Sequence, residues 1–165
     1  MGKCAVNGHI TGSSRVGGIA GYNGDTINNS YFIGEISSSN DLCITGGLAG
    51  YNIGNIDNCY TVPIISGINF SSGGLIGFNN ASISNSYLGT DNGLFTLVGY
   101  GNKHTDLFVT PSKTVELESG NGLMTGCDFL LSGTLKIQST FQDWDFSNVW
   151  TISPDTNDGY PVLLP

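Results

Sequence analysis

Apolar and polar residues alternate along several short segments of this chain. In the first of them, Ile27, Asn29, Tyr31 and Ile33 occupy alternate positions, and two later segments repeat the order Ile–Asn–Tyr at the same spacing. A period of two is typical of a β-strand, and branched and aromatic residues favour strands. We therefore predict that each segment is a strand that carries these side chains on one face. Glycine pairs and serine-rich runs between the segments predict tight corners.

The three segments are copies of one 15-residue unit. The copies begin at Gly17, Gly46 and Gly73 and align without a gap, at offsets of 29 and 27 residues. A unit of this size cannot bury its own apolar face, so it stacks on its neighbours. We predict an all-β fold: a right-handed parallel β-solenoid, of the β-helix or β-roll kind, with an aromatic-rich C-terminal cap. The positions that we assign to stacking are Gly17, Gly18, Gly21, Asn23, Tyr31, Gly46, Gly47, Gly50, Asn52, Tyr60, Gly73, Gly74, Gly77, Asn79 and Tyr87.

The repeat extends beyond these three copies. Residues 4–16 match the second half of a truncated copy, and residues 93–102 match a degenerate copy, so residues 1–102 form the predicted repeat region. The truncated copy leads us to expect the rest of a longer parent chain on the N-terminal side. Residues 103–165 are predicted to form an irregular continuation and the C-terminal cap.

Aromatic residues are concentrated near the C-terminus, and both tryptophans lie there. The ends of a strand stack expose unpaired edges, which is why terminal units of repeat arrays act as caps. Large aromatic side chains are commonly buried, so we favour a packed cap over the alternative, an aromatic platform that binds sugar. The predicted cap residues are Trp144, Phe146, Trp150 and Tyr160.

Stacking would also align asparagines and small residues in columns. In the predicted column Asn23, Asn52 and Asn79, amide groups can hydrogen-bond along the stack. We favour this structural role over a ligand-binding stripe because glycine and apolar neighbours mark a packed corner. Another slot holds either serine or cysteine, including Cys59, which favours a small packed thiol. The four cysteines lack the paired spacing of a zinc site.

Charge and hydropathy exclude two classes of partner. Only 11% of residues are charged, the net charge is −8, and the five basic residues are scattered. Without a basic cluster to neutralise phosphates, we expect no binding to nucleic acid. No apolar run approaches the ~20 residues that span a bilayer, so we expect no membrane insertion.

Candidate catalytic and metal-binding groups are few. The motifs HExxH and GxSxG do not occur in the sequence. His9 and His104 have no equivalents in other copies, which favours surface positions over catalysis. We interpret the densest acidic group as solvated carboxylates, with a weak calcium site as the alternative; it comprises Asp143, Asp145, Asp155 and Asp158. We therefore predict no catalytic, cofactor-binding or metal-binding residues, and no cofactor.

The repeated core resembles the GLUG motif, named for its Gly-Leu-x-Gly signature. The signature reads Gly47-Leu48-Ala49-Gly50 in one copy and Gly74-Leu75-Ile76-Gly77 in the next, while Ile19 replaces leucine in the first. The tail is similar to a pattern that closes such arrays, here Trp144-Asp145-Phe146, Trp150, Ile152, Gly159-Tyr160-Pro161 and Leu163. The resemblance implies a large bacterial surface or secreted protein, adhesin-like or related to the non-catalytic regions of some immunoglobulin A proteases. It supplies no catalytic residues.

Taken together, these features favour a non-enzymatic extracellular module of a bacterial surface protein, either an adhesin segment or a rigid stalk. Its partner would be a host or cell-surface protein or a glycan, and loops 37–43 and 66–72 would be the contact surface, because loops tolerate variation. The alternative is a carbohydrate-binding module that uses exposed aromatics such as Trp144, Trp150 or Tyr160. A glycan-active β-helix enzyme, which needs clustered carboxylates, is a third and weaker hypothesis.

Overall fold

The computed structural model describes residues 1–66, 71–90, 98–99, 124–125 and 128–165, and short β-strands dominate them. The strands, in chain order, are β1 (Ala5–Gly12), β2 (Arg15–Gly17), β3 (Ala20–Asn23), β4 (Thr26–Asn28), β5 (Tyr31–Ser38), β6 (Ile44–Gly46), β7 (Ala49–Asn52), β8 (Asn55–Asp57), β9 (Tyr60–Ser66), β10 (Ser71–Gly73), β11 (Ile76–Asn79), β12 (Ile83–Ser84), β13 (Tyr87–Gly89), β14 (Met124–Thr125), β15 (Asp128–Leu130), β16 (Trp150–Thr151) and β17 (Val162–Leu163). Short 3₁₀-helices span Ser132–Lys136, Gln138–Thr140 and Asn157–Gly159. None of the helices in these ranges has the length and apolar character needed to cross a bilayer. The all-β prediction is confirmed.

Strands of successive copies pair side by side in four parallel sheets. The five-stranded sheet has the order β1-β5-β9-β13-β15, and the four-stranded sheet the order β4-β8-β12-β14. Two three-stranded sheets have the orders β2-β6-β10 and β3-β7-β11. The register is residue for residue, because Tyr31 pairs with Tyr60, and Tyr60 with Tyr87. The copies therefore stack in parallel, with equivalent residues in columns as the repeat predicts.

Two clusters of buried apolar side chains lie between these sheets. In the first, the column Ile27, Ile56 and Ile83 packs with Leu48 and Leu75, and each of these side chains is at most 1% exposed. The second is built around Phe32 and Ile36 of β5, which contact Val16 and Cys43. Burial of such side chains stabilises a fold by about 1.5–3 kcal/mol each. Stacking brings the isoleucine column together, since Ile27, Ile56 and Ile83 come from three different copies.

The glycine pair that opens each copy allows the copies to approach closely. A Cβ added to Gly46 would collide with the carbonyl oxygen of Ala49 and lie 2.7 Å from the Cα of Ile76 in the next copy. One added to Gly47 would lie 2.6 Å from the hydroxyl of Thr61. Neither site has room for a side chain. Close packing against the neighbouring backbone and core side chains therefore requires glycine at both positions.

One expectation about strand faces is wrong. Alternation places Ile27 and Tyr31 on one face, but the strand breaks between them at Asn29, whose φ is 47°. Ile27 contacts the core, whereas Tyr31 packs against the C-terminal segment. Asn58 and Asn85 occupy the same slot with φ of 52° and 44°. Asparagine tolerates this left-handed conformation better than most residues, so the second asparagine column forms a corner that turns the chain.

The stack continues past the point where the repeat fades from the sequence. Residues 103–165 are predicted to form an irregular continuation and the C-terminal cap; within them β14 pairs with β12, and β15 pairs with β13, both in parallel. Strand pairing uses backbone groups, so it does not require the motif side chains. In the degenerate copy, Val98 pairs with Ile76, the partner that the sequence alignment gives it; the rest of residues 93–102 lies outside the described residues. So do His104 and Cys127.

Candidate functional site

The first asparagine column forms a hydrogen-bonded ladder. The side-chain amide of Asn23 donates to Oδ1 of Asn52, and that of Asn52 donates to Oδ1 of Asn79, both at 2.7 Å. The amide of Asn79 ends the ladder on the carbonyl oxygen of Ala81, also at 2.7 Å. All three side chains are buried, and Asn52 is fully so. The geometry leaves no free amide for a ligand and supports the structural role predicted for this column.

The serine or cysteine slot has a similar structural role. Oγ of Ser30 accepts a hydrogen bond from the backbone N–H of Cys4 and donates to the carbonyl oxygen of Asn28. Oγ of Ser86 likewise accepts a hydrogen bond from the backbone N–H of Cys59 in the preceding copy and donates to a carbonyl oxygen of its own copy. Cys4, Cys43 and Cys59 are unbridged thiols. A small polar side chain at this slot therefore ties one copy to the one before it.

The tyrosine column faces away from the apolar core and is covered by the C-terminal segment. Tyr31 and Tyr60 stack with ring centroids 5.0 Å apart. The ring centroid of Trp150 lies 6.1 Å from that of Tyr60 and 4.4 Å from that of Trp144, and Trp150 is fully buried. Burial raises the pKa of the Tyr60 hydroxyl above its ordinary value, and its hydroxyl donates to the carbonyl oxygen of Pro161 at 2.7 Å.

The aromatic segment lies along the side of the stack. Nε1 of Trp144 donates to the carbonyl oxygen of Asn85 in the third copy, while Nε1 of Trp150 donates to Oδ1 of Asn29 in the first. Further along, Asn157 accepts a hydrogen bond from the side chain of Asn7 in the truncated copy. We expected Trp144, Phe146, Trp150 and Tyr160 to close the end of the array. Instead they join Tyr31, Tyr60 and Tyr87 in one cluster that bridges three copies laterally.

His9 belongs to an exposed polar cluster on the five-stranded sheet. Its Nδ1 lies 3.4 Å from Oε2 of Glu35, and its Nε2 lies 2.9 Å from Oγ1 of Thr11. The order carboxylate–imidazole–hydroxyl is that of a hydrolase triad. However, the His9 and Glu35 side chains are 54% and 46% exposed on an open sheet. Such catalysis depends on charge stabilisation in a water-excluded site, which this position does not provide.

The C-terminal acids do not converge. Oδ1 of Asp145 accepts hydrogen bonds from the backbone N–H groups of Ser147 and Asn148, each at 2.9 Å. Hydrogen bonds from the Asn148 side chain, and then from these backbone groups, hold the pKa of Asp145 below its ordinary value. Across the described ranges, no three His, Cys, Asp or Glu side chains are grouped to hold a metal ion. Asp145 thus stabilises a turn beside the aromatic segment.

Loop 37–43 is solvent-exposed along residues 39–42, and Leu42 at its tip is 73% exposed. The second predicted contact loop, 66–72, falls largely on residues 67–70, which lie outside the described ranges.

A second column of aromatic residues was not predicted from the sequence. We call the surface formed by Arg15, Tyr22, Tyr51 and Phe78 the aromatic ridge. The rings of Tyr22 and Tyr51 stack with centroids 5.8 Å apart, and those of Tyr51 and Phe78 with centroids 4.5 Å apart. Tyr22 is 49% exposed, and the guanidinium of Arg15 lies over the Tyr51 ring at 4.6 Å. The repeated tyrosine or phenylalanine before each ladder asparagine was the available signal.

No family model, curated protein or solved structure matches this chain.

Proposed function

We propose that this chain is a non-enzymatic extracellular module of a bacterial surface protein, built as a right-handed parallel β-solenoid of the GLUG-motif kind, and that it serves as an adhesin segment. The observation that carries the proposal is the continuous register of equivalent residues from copy to copy, with the buried asparagine ladder at its centre. Those side chains are occupied in holding the stack together. The residues left to meet a partner are therefore the ones on its outer surface.

The right-handed turn follows from the connections between strands. Each strand of the five-stranded sheet is joined to the next by a long connection that returns to pair in parallel. Such crossovers are right-handed in about 98% of cases, because strand twist favours that hand. We infer the same hand here.

The burial of the tryptophans also bears on the alternatives. Trp150 is fully buried and Trp144 is 7% exposed, so neither can stack on a sugar while the C-terminal segment is packed. The Asp145 carboxylate of that segment is engaged by the backbone N–H groups of Ser147 and Asn148, where it stabilises a turn. A carbohydrate-binding role would therefore have to use another surface.

A binding screen tests the proposal. The purified protein is applied to a glycan array and to immobilised host extracellular-matrix proteins, with its fold verified by circular dichroism. Selective retention on one class supports the adhesin role. A folded protein that is retained on no surface would overturn it, and release of product from ester, peptide or glycoside substrates would overturn the non-enzymatic part.

A further inference from the structure

We propose that the aromatic ridge binds a sugar acid, a uronic or sialic acid residue of a glycan, with Arg15 holding its carboxylate. This inference rests on the proposed adhesin function and names the ligand class of one surface.

The guanidinium of Arg15 is positioned by the ring column and is otherwise unengaged. It lies 4.6 Å from the Tyr51 centroid and 5.4 Å from that of Tyr22. In the part of the chain that the structure describes, the side chain of Arg15 makes no salt bridge and donates no hydrogen bond, and the residue is exposed. Contact with aromatic rings orients the guanidinium while leaving its N–H donors available. A planar fork of donors matches a carboxylate, which it can hold through two parallel hydrogen bonds.

Arg15 also occupies a position that varies between copies. Its column partners in the parallel sheet are Ile44 and Ser71, whereas the ring positions are aromatic in all three copies. The rings are thus a shared feature of the stack, and the cation is specific to the first copy. Stacking explains why the rings recur. We therefore assign the selection of a charged ligand to Arg15, the residue that differs between copies.

The rings favour a ligand rich in hydroxyl groups. Neighbouring rings stack with centroids 4.5–5.8 Å apart, so the ring faces between them are not open to a sugar. The hydroxyls of Tyr22 and Tyr51 have no hydrogen-bond partner among the described residues. A phenol hydroxyl both donates and accepts, as sugar hydroxyls do. Arg15 therefore offers a fork of N–H donors for a carboxylate, and Tyr22 and Tyr51 beside it offer two partners for hydroxyl groups.

The charge of the protein selects against polyanions. The chain carries a net charge of −8, so a polyacidic peptide or a nucleic acid would be repelled outside the immediate reach of Arg15. A single unpaired guanidinium fits a ligand with one carboxylate among neutral groups. A glycan that ends in one sugar acid has this composition.

The test compares acidic with neutral oligosaccharides. Sialic acid-terminated and glucuronic acid-terminated trisaccharides are titrated by NMR against neutral trisaccharides of the same length, using wild type, Arg15→Gln, Arg15→Lys and Tyr51→Phe. Lys136→Gln is the matched control, because Lys136 also lies over a ring, that of Tyr160 at 4.7 Å. We expect acidic ligands to bind the wild type at least tenfold more tightly than neutral ones, with shifts at Tyr22 and Tyr51. Arg15→Gln should lower affinity roughly tenfold or more, as loss of a charge-assisted hydrogen bond does, while Lys136→Gln leaves it unchanged.

Several outcomes would overturn the inference. They are equal affinity for acidic and neutral sugars, unchanged affinity in Arg15→Gln, or tighter binding of a singly acidic peptide than of any sugar acid. Selective glycan or protein binding that Arg15→Gln does not alter would defeat this inference while the adhesin proposal stands. Absence of binding to every ligand in both screens would defeat both.

Discussion

The buried asparagine ladder makes a specific prediction for Asn52→Ala. Asn52 is fully buried, accepts from Asn23, donates to Asn79, and also accepts the backbone N–H of Gly54 at 3.3 Å. Alanine removes the central link without adding bulk. The Asn23 amide retains a weak contact with the carbonyl oxygen of Asn55 at 3.5 Å, and Oδ1 of Asn79 loses its donor.

The cost follows from the groups left without partners. A buried polar group that loses its hydrogen bond costs about 1–3 kcal/mol. Two such groups, Oδ1 of Asn79 and the backbone N–H of Gly54, give a loss in the free energy of unfolding of about 2–6 kcal/mol. That is a large fraction of the roughly 5–15 kcal/mol typical of a folded domain. We therefore expect Asn52→Ala to be strongly destabilised or unfolded.

Urea denaturation followed by tryptophan fluorescence measures this loss. Asn80→Ala is the matched control, because the exposed Asn80 follows the ladder directly and only its backbone N–H bonds to Asn52. The control should stay within about 0.5 kcal/mol of wild type, as surface substitutions usually do. If Asn52→Ala unfolds at the same urea concentration as Asn80→Ala, the ladder does not stabilise the stack and the reasoning fails.

Three further predictions concern the core and the aromatic cluster. The hydroxyl of Thr61 is buried without a partner, so Thr61→Val should raise the free energy of unfolding by about 1 kcal/mol in the same urea assay, and any loss of stability would contradict this. Trp150→Ala should cost about 3–5 kcal/mol and expose the amides of the tyrosine column to hydrogen exchange, whereas Leu131→Ala, at a 67% exposed site, should change neither. Because burial raises the pKa of Tyr60 in the folded state, the folded protein keeps a proton that the unfolded chain releases, so stability should fall as pH rises above about 10. Urea midpoints that do not change from pH 9 to 11 would refute this, and Tyr60→Phe should reduce the slope.

The lateral position of the C-terminal segment could not be read from the sequence. Its aromatic composition indicates burial, and Trp144 and Trp150 are indeed buried. Which surface buries them depends on contacts with residues about 60 to 120 positions earlier, such as Asn85 and Asn29. No local pattern encodes such a contact, since both the end and the side of the stack offer apolar surface.

The faces of the strands show a similar limit. Alternation predicts strands on both sides of Asn29, and those strands exist. A single residue at positive φ between them turns the chain, so Ile27 and Tyr31 belong to different clusters. The repeated aromatic position before each ladder asparagine is visible in the sequence, but the 49% exposure of Tyr22 is a property of the folded stack.

The sequence by itself determined the copies, their columns and their parallel register, because a repeat that cannot bury its own apolar face must stack on its equivalents. It also determined the roles of the glycine pair and of the ladder asparagines, since identical neighbours meet in every layer. Only the tertiary structure decided what covers the tyrosine column, where the chain turns at Asn29, and that Arg15 lies over the rings of Tyr22 and Tyr51. These features depend on contacts between unlike segments, for which the repeat supplies no equivalent positions to compare.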